Sequence, residues 1–383
     1  MTVPLNTVPA ASLIRNVRTA LSALATRRVE FGCDRILYRF DKVPLKKVLN
    51  WILVEASARI RAPRPWGFPT ILQVEPTNRC NLRCTLCPVA EGLERPAGHM
   101  DPNLFKSLID QVGEYVFLIL LWEWGEPFIN PHIYEMISYA KQRGIKLVTS
   151  TNGHLFAREE NAEKVVRSGL DALIFALDGI SQETYERYRR DGKLETILRG
   201  IRNVVEAKKA LGSRTPLINL RFIVMQHNEH EVTKLPELAQ SLGVDVLTLK
   251  TLFPGHGTDP TKDGENEFIP RDPLYRRFRY REEDASRIRV RRNPCRVLWI
   301  SPAVHWNGVV CPCSFDVEEK YPFGDLKTSS FRDIWFGDAL TGMRRRFRDD
   351  WDSIPLCGGC SYAYEGGDCS RDTIIAATTL RDS

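Results

Sequence analysis

From residue 70 onward, short apolar runs alternate with stretches whose apolar positions recur every three or four residues. The short runs, at 71–75, 117–122, 145–150, 172–177, 218–225 and 246–250, predict six β-strands. Between them, Ile133, Met136, Ile137 and Ala140, and later Ile197, Ile201, Val204 and Val205, each mark one apolar face of a helix. This alternation predicts an α/β unit around a parallel sheet. In such folds the loops at the carboxyl ends of the strands carry the chemistry.

Before residue 70 the pattern is helical. Leu13, Ile14, Val17, Leu21 and Leu24 recur at helical spacing, as do Leu45, Val48, Leu49 and Ile52. This segment is basic: residues 1–65 carry twelve Arg or Lys against four Asp or Glu, more than the whole chain's net charge of +6. A basic amphipathic extension packs on the main domain through its apolar stripe, the commoner case, or lies on an anionic membrane surface.

After residue 250 the turn-rich run 253–264 reads as a linker, so the β/α unit ends near residue 252. In the basic stretch that follows, Arg287, Arg289 and Arg291 alternate with Ile288 and Val290. As a strand this piece presents three guanidinium groups on one face, suited to phosphate or carboxylate; a charged, solvated edge strand explains it equally well. The resulting division is a helical extension (1–69), the β/α unit (70–252), a basic linker (253–290), a cysteine-bearing domain (291–370) and a tail (371–383).

At 383 residues, 43% hydrophobic and 27% charged, the chain has the composition of a soluble globular protein. No apolar run reaches the ~18 residues of a membrane span, and no signal-peptide pattern opens the chain. These features predict a cytoplasmic protein, with peripheral contact to anionic membrane as the alternative placement. In a reducing compartment the ten cysteines are metal ligands before they are cystines.

Cys80, Cys84 and Cys87 form a C-x3-C-x2-C cluster directly after the first predicted strand. Three thiolates from one short loop can ligate three irons of a [4Fe–4S] cube and leave one iron open. Zinc would want a fourth ligand close by, and the nearest histidine, His99, is a dozen residues on. A second set lies in the C-terminal third: Cys295 and Cys313 flank an Asn307-Gly308 turn signal, and Cys357 and Cys360 form a C-x2-C pair. Four cysteines there close a fully ligated site, structural or electron-conducting, of iron–sulfur or zinc-ribbon type. Cys311 and Cys369 are left over, as substitute ligands, inert thiols or hydrogen-atom donors to a substrate radical.

These residues resemble the radical S-adenosylmethionine (SAM) superfamily, and the C-terminal set is similar to its SPASM/twitch auxiliary-cluster subgroup, over about residues 70–370. The cysteine spacing at Cys80, Cys84 and Cys87 is that of the superfamily. Gly125-Glu126-Pro127 is similar to its Gly-Gly-Glu-Pro motif, whose Glu holds the methionine ammonium. Ser150 and Asn152 after the third strand, Asp178 after the fourth and Arg221 on the fifth look like the other cofactor-pocket positions. Glu126 and Arg221 would supply the two charges that a zwitterionic amino acid needs. Two positions depart from the pattern: Leu86 stands where the family usually has an aromatic, and Trp124 replaces the first motif glycine. The C-terminal spacing resembles the one-cluster twitch arrangement more than the two-cluster form.

The resemblance implies a partial (β/α)6 TIM-like barrel with a helical N-terminal extension and a small C-terminal iron–sulfur domain. It implies a [4Fe–4S] cluster with SAM on its open iron, an auxiliary [4Fe–4S] cluster, and a 5′-deoxyadenosyl radical that takes hydrogen from the substrate. Net two-electron oxidation of an anionic small-molecule, sugar or lipid-linked substrate is the leading expectation, with flavodoxin or ferredoxin as reductant. Epimerisation with Cys369 or Cys311 as hydrogen donor is a second outcome. Peptide modification is a third, and calls for a strand-containing N-terminal leader-binding module where the pattern reads helical. A metal-stabilised nucleic-acid-binding scaffold is disfavoured, because the Arg-rich stretch has few aromatics beyond Tyr275, Phe278 and Tyr280.

Overall fold

The computed structural model describes residues 3–4, 13–33, 36–254, 266–367 and 378–379. The six predicted strands are all present: β1 (Ile71–Val74), β2 (Leu118–Leu120), β3 (Lys146–Thr151), β4 (Ala172–Ala176), β5 (Leu217–Val224) and β6 (Val246–Thr251). They pair in chain order and all in parallel. Helices cover the outer face, so Ile133, Met136, Ile137, Ala140, Ile197, Ile201 and Val204 are fully buried at the positions that the 3.6-residue period marks. The barrel is partial: the outer edge of β6 pairs with Thr378–Thr379, not with β1.

The C-terminal domain grows from the free edge of β1. Ala303–Val304 pairs with it in parallel, turns through Asn307 and Gly308, and returns as the antiparallel strand Val309–Cys311, with Gly324–Asp325 beyond. Gly308 has φ of 93°, a conformation glycine adopts without strain, so the Asn-Gly turn signal is a real turn. One continuous sheet thus joins the two cysteine-bearing regions.

The N-terminal extension is not wholly helical. Between the helices Leu13–Thr26 and Leu45–Ile60 lies a β-hairpin, Val29–Cys33 with Ile36–Phe40. Phe31 and Phe40 pack on Phe117 at ring distances of 4.9 and 5.1 Å, and the same cluster holds Ile71, Leu118, Val148 and Ala172 from the starts of the barrel strands. The extension therefore plugs the amino-terminal end of the barrel. The second helix is rotated part of the way from the simplest reading of its pattern, with Val48 and Ile52 of the expected stripe kept against the core. Val48, Trp51, Val54 and Ala58 point inward, while Leu45, Leu49 and Leu53 stay exposed. Lys47 is buried with them, its ammonium 4.7 Å from the Phe117 ring, and burial lowers its pKa to about 8.

The open arginine face of the basic linker does not form. Only isolated bridges, Tyr280 with Arg287 and Arg289 with Tyr364, are present there among the described residues. Arg287 is buried with its guanidinium 4.2 Å from the Phe278 ring, and Arg289 stacks on Tyr364 and reaches the Gly358 carbonyl at 3.2 Å. Aromatic rings cover these guanidinium groups because they are weakly hydrated and planar. Arg291 is exposed.

Candidate active site

The loop after β1 brings Cys80, Cys84 and Cys87 to the wall of a cavity of about 350 Å³ at the carboxyl ends of the strands. The loop is short and turns sharply, with Leu86 at φ of 67° beside the third cysteine. Backbone amides face the sulfurs: Leu82 N–H points at Cys80 Sγ at 3.5 Å. Burial, with the charges of Glu126, Cys84 and Cys87, pushes the Cys80 thiol up to about 12 despite the Leu82 amide. Cys87 is raised in the same way by burial. Thiols brought together on one loop become thiolates when a cation joins them, so the donor set has the chemistry of an iron–sulfur site.

Gly125 packs the end of β2 onto this loop. Its φ is 104°, and a Cβ there would lie 2.6 Å from the Thr77 carbonyl and 2.7 Å from that of Arg79. The close approach lets Glu126 N–H donate to Arg79 O at 2.8 Å. The Glu126 carboxylate accepts from Thr151 Oγ1 at 2.8 Å, from Asn152 N at 2.7 Å and from Phe128 N at 3.3 Å. Burial outweighs these donors and raises its pKa to about 7. An ammonium beside it would supply the positive charge that this buried carboxylate lacks. Pro127 begins the turn Pro127–Ile129 that carries Phe128. Ser150, Asn152 and Arg221 line the same cavity, and Asn152 Nδ2 donates to Asn81 of the cysteine loop at 2.7 Å. Pro127 is not among the lining residues, and the other expected cofactor positions converge with one exception.

Asp178 is the exception. It is fully buried off the cavity wall, where its carboxylate accepts from Arg189 Nε at 2.7 Å and from Ile223 N at 2.7 Å. Its role is to hold Arg189, which lines the cavity and points Nη1 at Cys84 Sγ, 3.4 Å away. No sequence signal separates Arg189 from the arginines beside it. Trp122, Glu123, Trp124, Lys250, Phe253 and Arg277 also line the cavity without having been expected there. Trp122, Glu123, Trp124 and Phe253 lie in strand-end loops, Lys250 near the end of β6 and Arg277 in the linker, and only the fold brings them together.

In the C-terminal domain Cys313 sits within electrostatic reach of Cys295, Cys357 and Cys360, and burial with these three neighbours drives its pKa well up. The other three predicted ligands are thus neighbours of Cys313, the donor chemistry of a second cluster, although among the described residues no group of three or more His, Cys, Asp or Glu side chains is set to hold a metal ion. The cavity reaches toward them through two aromatics: Trp124 Nε1 donates to Ser314 O at 3.1 Å, and Phe253 packs edge-on against Phe315 at 5.6 Å. Cys311 is not on the cavity wall. It is fully buried behind it, 3.9 Å from His305 Nδ1, with its thiol raised to about 11 by burial, a placement that does not suit hydrogen donation to a substrate. Cys369 lies outside the described residues.

Behind the wall runs a buried charge network between barrel and C-terminal domain. His305 approaches Glu123 at 3.5 Å through Nε2 and Glu319 at 2.9 Å through Nδ1. The neighbouring Glu75 takes both arms of Arg95. His305 is held protonated by these carboxylates despite the desolvation that opposes it.

Fold and site together define a SAM-dependent iron–sulfur enzyme of partial-barrel type. A family model described as the radical SAM superfamily matches residues 74–235, and one described as an iron–sulfur cluster-binding domain, SPASM, matches residues 295–361. The chain belongs to the radical SAM superfamily, in its SPASM branch, and the family implies a [4Fe–4S] cluster, SAM and an auxiliary cluster. It is 28% identical to the tungsten-containing aldehyde ferredoxin oxidoreductase cofactor-modifying protein of Pyrococcus furiosus, over 76% of this chain and 86% of that one. It is 26% identical to the PqqA peptide cyclase of Gluconobacter oxydans, over 82% and 92% respectively. In fold it is similar to Streptococcus suis SuiB bound to S-adenosylmethionine, with a TM-score of 0.58 and 14% identity over 84% of this chain and 80% of that one. No helix among the described residues is long and apolar enough to cross a membrane.

Proposed function

We propose that this chain is a radical SAM oxidoreductase that removes two electrons from an anionic small-molecule, sugar or lipid-linked substrate. Cys80, Cys84 and Cys87 would hold the SAM-binding cluster; Glu126, Ser150, Asn152 and Arg221 would hold the amino acid part of SAM; and Cys295, Cys313, Cys357 and Cys360 would hold the auxiliary cluster. When bound, SAM and its cluster supply a one-electron cleavage that generates a hydrogen-abstracting radical. The chain's own part is to position substrate in the cavity and exclude water.

The observation that carries this reading is the cavity wall itself. Lys250 and Arg277 line it together with the three cysteines, which suits an anionic substrate, and Trp124 and Phe253 lead from it to the Cys313 loop. The deciding experiment is anaerobic reconstitution followed by dithionite and SAM, with chromatography for 5′-deoxyadenosine on wild type and a Cys80/Cys84/Cys87 triple Ala variant. Incubation with small anionic metabolites then looks for a product two hydrogens lighter. A product of unchanged mass would mean epimerisation instead.

Peptide modification is the second reading, supported by the N-terminal hairpin, since an edge strand is a ready platform for an extended peptide. We also place the protein in the cytoplasm, with peripheral contact to anionic membrane through the exposed Leu45, Leu49, Leu53 and Ile60 beside Lys46 and Arg59. Flotation with anionic vesicles tests that contact: L49E/L53E should release the protein, and equal partition of variant and wild type would refute it.

A further inference from the structure

Two cations of the barrel stand at different levels of the cavity wall. In the parallel pair of β5 with β6, Arg221 lies opposite Thr248 and Ile223 opposite Lys250. Arg221, Ile223 and Lys250 all line the cavity. This register puts Lys250 one pleat, about 6–7 Å, nearer the carboxyl ends of the strands than Arg221. Beside and below Arg221 the barrel is filled: Thr248 Oγ1 donates to Asn219 Oδ1 at 3.0 Å, and both residues are fully buried. Arg221 is thus the inner cation and Lys250 the outer one.

The basic linker adds Arg277 at the outer level. Its guanidinium carbon lies 5.1 Å from the ring of Phe253, which stands two residues past the end of β6. Its Nη2 donates to Ser361 Oγ and to the Gly367 carbonyl, both at 3.4 Å. Trp124, Phe253 and Arg277 are therefore each held by a residue of the C-terminal domain: Ser314, Phe315 and Ser361. Two acids, Glu123 and Glu126, line the cavity among the described residues. Glu126 is taken up by Thr151, Asn152 and Phe128, and the side chain of Glu123 is 1% exposed, with His305 at 3.5 Å. The outer level thus offers two cations and two aromatic rings.

We propose that Lys250 and Arg277 form a subsite for the acidic group of the substrate, and that this substrate is an acid with a flat, apolar body seated on Trp124 and Phe253. The inference rests on the proposed function and narrows its substrate class. Two cations from separate elements suit a carboxylate or a phosphate, and aromatic rings offer the flat apolar surface that a planar body covers. Arg221, one pleat deeper, is left for the amino acid part of SAM. The C-terminal domain then takes part in substrate choice, because it holds Trp124, Phe253 and Arg277 in place.

Isothermal titration calorimetry on the anaerobically reconstituted full chain, with saturating SAM and no reductant, tests the subsite without turnover. The probes are 3-phenylpropionate and phenyl phosphate, with 3-phenylpropanamide as the neutral match and butyrate as an acid without a ring. Wild type should bind the better of the two aromatic acids about tenfold or more tightly than the amide, and than butyrate. Which of the two binds better tells carboxylate from phosphate, and either supports the subsite. K250M and R277M should each lose most of the preference for acid over amide. No binding of either aromatic acid, equal affinity for acid and amide in wild type, or an acid preference that K250M retains would overturn the proposal. Butyrate binding as tightly as the aromatic acids would overturn the flat, apolar body. Should R277M lose auxiliary iron, K250M alone decides. If dithionite and SAM yield no 5′-deoxyadenosine, the radical reading fails, and the titrations still decide the subsite.

Discussion

Trp124 Nε1 donates a hydrogen bond to the Ser314 carbonyl at 3.1 Å, joining the strand-end motif of the barrel to the residue after Cys313. The indole stands where a glycine would be usual in the motif, and it fills the gap between the two cysteine sites. Replacing it by Phe keeps the ring on the cavity wall but leaves the Ser314 carbonyl without this donor, a loss of about 1 kcal/mol. W124F should release auxiliary iron to a chelator faster than wild type while the Cys80 site keeps its iron. Equal release from both proteins would show that the hydrogen bond does not support the auxiliary site.

Arg189 places a cationic N–H donor 3.4 Å from Cys84 Sγ. A positive donor at a ligating thiolate favours the reduced, more negative cluster, so its removal should make the cluster's midpoint potential more negative. An EPR-monitored redox titration of R189Q reads this directly, and an unchanged potential would leave Arg189 a purely structural partner of Asp178. The same change strands the buried Asp178 carboxylate and should cost about 3–5 kcal/mol of stability. D178N/R189Q should recover much of that loss without restoring the potential.

The Glu126 carboxyl, raised to about 7 by burial, must be ionised to pair with an ammonium. Its folded pKa lies above the ordinary carboxylate value, so the anion becomes available only as pH rises through 7. Calorimetric SAM affinity should therefore increase from pH 6 to 8 and then level off. E126Q should bind more weakly and lose this pH dependence. A wild-type affinity flat across the range would mean that Glu126 does not pair with the cofactor amine.

His305 is held protonated between Glu123 and Glu319. Its folded pKa is raised above the unfolded value near 6.5, so the stabilisation is complete below that pH and declines steadily as pH rises above it. The wild-type melting temperature should fall from pH 6.5 to 9 more steeply than that of H305Q. At pH 6.5 the variant should be less stable by about 3–5 kcal/mol, since Glu123 is left buried and unpaired. Parallel pH profiles would show that the imidazole carries no charge in the fold.

Phe31 of the N-terminal hairpin packs on Phe117 at the barrel's amino-terminal end. F31A should lower stability by about 3–5 kcal/mol, as deletion of a buried aromatic does. Thermal unfolding measures it, and a loss below about 1 kcal/mol would mean that the extension only rests on the barrel.

The sequence by itself determined the six strands, the helix faces between them, the Asn307-Gly308 turn and the two groups of cysteines. Each of these is written in a local signal: a period of apolar residues, a turn dipeptide or a short ligand spacing. The converging residues Gly125, Glu126, Ser150, Asn152 and Arg221 became legible through motif resemblance, because strand-end positions in a parallel barrel share one end of the fold. Tertiary structure alone decided the rest. Asp178 turned away from the cavity because Arg189 and the Ile223 amide satisfy its carboxylate elsewhere. Cys311 lies behind the wall because the strand Val309–Cys311 extends the sheet and buries that thiol against His305. The hairpin 29–40 and the inward face of the helix Leu45–Ile60 depend on partners distant in the chain, and Arg287 is covered by Phe278 nearby and by Tyr364 from the C-terminal domain. Local periodicity reports only that a face is apolar or charged; the neighbour that covers it is set by packing, which couples residues hundreds of positions apart.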